Sequence, residues 1–162
     1  MKRLLSASAV LLGFAPFVLA QDLLRVGDIS AVRGTKATGA IRIPDGVDKG
    51  LDIPVSVIHG KESGKVLALI AGTHGYEYTS ILALQRLLPQ LDPSRLKGSV
   101  ILVHMANPET FYARRIYTSS DGKNLNRVYP GRKDGTISER IAEAITREVI
   151  DQATHVVDMH SG

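Results

Sequence analysis

The sequence predicts an α/β domain built on a mixed, largely parallel sheet flanked by helices, and three observations predict it. "KVLALIAG", "GSVILVHMANP" and "THVVDMHSG" are apolar runs of strand length, and the first is uninterrupted over six residues, the pattern of a strand covered on both faces. Helix-period segments separate them, giving the rhythm strand, helix, strand, long loop, helix, strand. The polar residues with chemical potential fall just after the strands, where open α/β sheets collect their functional groups.

Each element has its own signal. Residues 1–20 begin with Lys2 and Arg3, continue through an uncharged apolar stretch and end in "VLA", the pattern of a cleaved export signal. A short membrane anchor is the competing reading, but Gly13 and Pro16 interrupt the stretch and no stop-transfer charges follow. The expected mature domain runs over 21–162, exported to the periplasm or secreted, with no stable membrane anchor. Residues 22–60 hold short Val/Ile runs with a turn at "PDGVDKG". "LDIPVSVIHG" and "KVLALIAG", separated by "KESG", read as a hairpin. In "EYTSILALQRLLPQL", Ile81, Leu84, Leu87 and Leu88 recur at helical spacing up to Pro89. Residues 107–136 read as loop. "SERIAEAITREVIDQA" reads as a helix with Ser138 as N-cap and Ile141, Ala144, Ile145 and Val149 on one face.

Composition narrows the function classes. At 162 residues, with 44% hydrophobic and 22% charged content, the chain suits one soluble globular domain. Removing Lys2 and Arg3 takes its 20 basic side chains to 18 against 16 acidic ones. No basic run with interleaved aromatics appears, so nucleic acid is not an expected partner. Cysteine is absent, which excludes a disulfide framework and a lipoprotein anchor.

The turn "AGTHGYEYTS" places His74 and Glu77 three residues apart at a strand end. A hydrolytic zinc takes three protein ligands, commonly two histidines and a carboxylate, and leaves a fourth position for water. His160, ending another strand, is the best third donor, and strand periodicity puts Asp158 on its face as a ring-orienting acceptor. A His-x-x-Glu pair alone is a weak signal. His59, His104 and His155 have no acidic partner at ligand spacing and read as ordinary strand or surface histidines. The loop "DGKNLNRVYPG" adds Asn126 and Arg127, an amide and a forked guanidinium suited to gripping a carboxylate. The bland reading of Arg127 is a solvated loop charge.

"AGTHGYE", "NPETF", "DGKNLNRVYPG" and "VVDMHSG", in that order, resemble the succinylglutamate desuccinylase/aspartoacylase family, within the zinc carboxypeptidase-like fold. The resemblance runs from about Val55 to Gly162. It implies one zinc ion per chain on His74, Glu77 and His160. It also implies that Asn126 and Arg127 bind a substrate carboxylate and polarise the scissile carbonyl, with Arg115, or else Arg114, as a further arginine. The family's general-base glutamate lies beyond the third ligand, so the chain is expected to be the amino-terminal portion of a longer, truncated enzyme, inactive alone. The implied activity is hydrolysis of an amide bond near a free carboxylate, in an N-acyl amino acid or a peptide. The alternatives are a non-catalytic zinc- or carboxylate-binding remnant and, less compatible with the ligand set, a structural zinc site.

Overall fold

The computed structural model describes residues 22–161; the export signal expected over 1–20 lies outside them. A small antiparallel pair, β1 (Leu23–Val26) and β2 (Ile29–Val32), precedes the main sheet. That sheet comprises β3 (Thr35–Ile43), β4 (Leu51–His59), β5 (Glu62–Ala71), β6 (Lys97–Val103) and β7 (His155–Met159) in the order β3-β4-β6-β5-β7. β3, β4 and β6 pair antiparallel, whereas β6, β5 and β7 pair parallel.

The hairpin expected between β4 and β5 is not formed. β4 pairs instead with β3 across the 44–50 turn, and β6 lies between β4 and β5. The reason is burial: every residue of β6 after Lys97 is buried, so the strand with the fewest polar interruptions takes the centre. Gly60 makes the passage possible, since a Cβ there would lie 2.3 Å from the Gly98 carbonyl oxygen.

The two sheet faces are covered by different helices. α1 (Tyr78–Leu87) closes one face, its Ile81 and Leu84 packing with Ile58, Ala71, Val100 and Leu102. α3 (Ile137–Ile145) closes the other, its Ile137, Ile141 and Ile145 packing with Ile53, Val55, Val57, Ala68, Ile101 and Val103. α1 stops at Pro89 within a short 3₁₀ turn, and α3 continues into a π-turn over Thr146–Ile150. The expected loop over 107–136 contains α2 (Pro108–Ala113), started by the Asn107 side chain accepting from the Thr110 amide at 3.2 Å.

α3 begins two residues earlier than expected. Its N-cap is Thr136, not Ser138, and Glu139 folds back to accept the Thr136 amide at 2.9 Å. Two carboxylates from distant loops complete the cap. Asp48 accepts the Ile137 amide at 2.8 Å, and Asp121 accepts the Ser138 amide at 3.0 Å. The Thr136 amide, with Lys123 and Arg132 beside it, holds the Glu139 carboxyl down to about 2. β7 is an edge strand among the described residues, with Val156 and Val157 42% and 47% accessible. Among the described residues no helix is long and apolar enough to cross a membrane.

Candidate metal centre

The His74 turn is built from the chain direction change at the end of β5. Gly72 adopts φ +70°, and Gly75 passes so close to α2 that a Cβ would lie 1.9 Å from the Thr110 carbonyl carbon. Its amide is held by the Arg115 carbonyl at 3.1 Å. Glu77 occupies the N-cap position of α1 but makes no side-chain cap. Its carboxylate points instead to two imidazoles. Glu77 Oε1 lies 2.9 Å from His74 Nδ1, and Oε2 lies 2.9 Å from His160 Nδ1. A helix start is left uncapped so that one buried carboxylate can bridge two rings.

The donor atoms of His74, Glu77 and His160 all lie within 4.8 Å of one another. Each ring is held from outside as well. His74 Nε2 lies 3.1 Å from Asn124 Oδ1, and His160 Nε2 lies 2.9 Å from Asp158 Oδ2. Asn124 Oδ1 also accepts the Asn126 amide at 2.9 Å, which makes the side-chain oxygen, not the nitrogen, face the ring. Asp158 is steadied in turn by the Thr73 hydroxyl at 3.1 Å.

Every ring nitrogen of the pair therefore faces an acceptor. A neutral imidazole donates through one nitrogen only, so its other nitrogen would set a lone pair against an acceptor. Either each ring takes a second proton, or a cation sits among the three donors. Burial opposes a charge on His160, but the Asp158 and Glu77 carboxylates outweigh it and hold its pKa above the usual histidine value. Two nitrogens and a nearly buried carboxylate, with the outer nitrogens tied to oxygens, are the donor set and orientation that fit a divalent cation.

The other expected site residues are placed less decisively. Leu125 is buried and anchors the 3₁₀ turn Leu125–Arg127, but Arg127 is exposed and donates to the Asn126 carbonyl at 3.0 Å. Arg115 is exposed, and Arg114 forms the left-handed C-cap of α2 at φ +54°. Asn124 is not among the expected site residues; its place as N-cap of a turn beginning "NLNR" is the signal that marks its amide as an acceptor. Glu109 is occupied by the Ser120 amide and hydroxyl at 2.6 and 2.9 Å. His59 and His104 bond to Ser99 and Ser56, each at 2.8 Å, and His155 to Thr154 at 3.0 Å.

Residues 63–162 match the succinylglutamate desuccinylase/aspartoacylase catalytic domain. The chain belongs to the succinylglutamate desuccinylase/aspartoacylase family. Within it, the chain is 42% identical over 110 residues to the N-alpha-acetyl-L-2,4-diaminobutyric acid deacetylase of Halomonas elongata, covering 68% of this chain and 32% of that protein. An aspartoacylase family protein from Mesorhizobium loti superposes with a TM-score of 0.74 at 35% identity, over 88% of this chain and 44% of that one. The product-bound ectoine utilization protein EutE (DoeB) from Ruegeria pomeroyi gives 0.71 at 31% identity, over 78% and 40%. The fold is thus the zinc carboxypeptidase-like α/β fold of the desuccinylase/aspartoacylase family. The chain spans about a third of its curated relative and under half of these solved structures.

Proposed function

We propose that this chain carries the zinc-binding part of an exported amide-bond deacylase whose substrates are N-acyl amino acids or related small molecules with a free carboxylate. The observation that carries the reading is the pair of imidazoles turned to one buried carboxylate and tied outside by Asn124 and Asp158. The deacetylase relative supports the reaction class.

His74, Glu77 and His160 would hold the zinc. When bound, zinc polarises a carbonyl and lowers the pKa of water toward 7. The chain's own groups do the rest. Asn124 and Asp158 fix the ring orientations, so that both Nδ1 lone pairs converge before a metal arrives. Burial of Glu77 keeps water from competing for its oxygens. Asn126 and Arg127 sit one turn from Asn124, on the loop that carries it, and would hold the substrate carboxylate through an amide and a planar fork. Arg115, adjoining the His74 turn through its backbone, is the further cation. Thr73 ties Asp158, and so the His160 ring, to the His74 turn.

The test is a panel of N-acyl amino acids offered to the zinc-loaded full-length enzyme with a chelator control. Chelator-sensitive release of the free amino acid is expected. Arg127→Lys should lower kcat/KM by roughly 1.5–3 kcal/mol with zinc content unchanged. Hydrolysis indifferent to chelator, or wild-type kinetics in that variant, would contradict the respective assignment.

A further inference from the structure

α3 carries a cation that its own fold leaves poorly matched. Arg140 is only 6% exposed, and it clamps the 44–50 loop by donating Nη1 to the Pro44 carbonyl and Nη2 to the Asp48 carbonyl at 2.9 Å. Among the described residues no carboxylate oxygen lies within 4.0 Å of its guanidinium, and its Nε–H has no partner. A buried guanidinium without a counter-charge is costly, and its place in the first turns of a helix adds an opposing dipole.

Arg140 lines a cavity of about 120 Å³ together with Arg42, Lys133, Glu143 and Arg147. Two of these cations are already matched. Arg42 lies 3.6 Å from Asp28 and 3.3 Å from Asp52, and Arg147 pairs with Glu143 at 3.0 Å and with Glu148. Among the described residues, Lys133 and Arg140 are left without a carboxylate partner.

We propose that this cleft, between the end of β3, the 44–50 loop and the outer side of α3, binds a small tetrahedral oxyanion of the phosphate class. The cavity is well below the range of drug-sized ligand pockets, about 300–1,000 Å³, which suits an inorganic anion. Guanidinium and ammonium groups recognise such an anion by charge-assisted hydrogen bonds, Arg140 supplying a fixed charge and the N–H groups that the 44–50 loop does not take, and Lys133 a mobile point charge. The cleft lies at the β3 side of the sheet, opposite the β7 edge, and shares none of its lining with the His74 centre.

The test is titration of the metal-free full chain with sodium phosphate against sodium chloride at matched ionic strength, read by calorimetry and by the ¹⁵N–¹H signal of Arg140 Nε. Saturable single-site binding of phosphate, a shift of that signal and about tenfold weaker binding in Lys133→Gln are expected. Phosphate behaving no differently from chloride would overturn the site. So would phosphate binding that leaves the Arg140 signal in place and is unchanged in Lys133→Gln. Arg140→Lys keeps the charge and loses the fork. If that variant does not fold, the Lys133 variant and the Arg140 signal still decide.

Discussion

His74 and His160 face the same carboxylate from supports of different quality. His74 follows β5, which has strands on both sides and a buried carboxyl end, and its turn is wedged against α2 through Gly75. Among the described residues, His160 follows β7, which pairs with β5 alone and leaves Val156 and Val157 exposed. Within the described residues, half of the candidate centre is positioned by the core, while the other half is held by one parallel ladder, the Asp158–Thr73 contact and Glu77 itself.

The largest expected effect breaks the well-supported half. Leu102→Ala, in the fully buried centre of β6, should cost about 2–5 kcal/mol in urea unfolding. Val157→Ala on the edge should cost under about 1 kcal/mol, because half of that side chain is already in water. Equal costs would mean that β7 is as well packed as β6, and the contrast would fail.

Metal affinity sharpens the comparison at the rings themselves. Asn124→Ala and Asp158→Ala each free one ring without removing a ligand, and each should weaken zinc binding about 10–100-fold. Zinc competition titration of both variants is the check; unchanged affinity in either would show that its ring is oriented by something else.

How much of this was legible follows from range. The helices α1 and α3 and the turn carrying His74 and Glu77 announce themselves through local spacing, and the order of four short motifs identifies the family. Strand partnership was not legible, because apolar runs say that β4, β5 and β6 are buried without saying which sits in the middle. The cap of α3 was missed for a similar reason: Ser138 is a good cap by type, but Asp48 and Asp121 reach the helix start from far along the chain. Asn124 hid beside a more conspicuous arginine.

A smaller effect concerns acid. Folding depresses Glu139 to about 2 through the Thr136 amide, Lys123 and Arg132. Burial opposes the charge on Asp121, but the Ser138 and Lys123 amides hold it below the usual range. Both carboxylates have folded values below their unfolded ones, so their contribution is present above about pH 4 and is lost as pH falls toward 2. Melting temperature between pH 7 and 3 should decline less steeply in Glu139→Gln than in the parent. An identical decline would remove Glu139 from the account of α3.

The central claim is that His74, Glu77 and His160 form one metal site despite their unequal supports. Zinc content of the full chain after exhaustive dialysis tests it most directly, measured beside His74→Ala and His160→Ala, with circular dichroism to confirm folding. The account predicts about one zinc per parent chain and a large loss in both folded variants. A parent that retains no zinc, or folded variants that keep the parent's full complement, would contradict it.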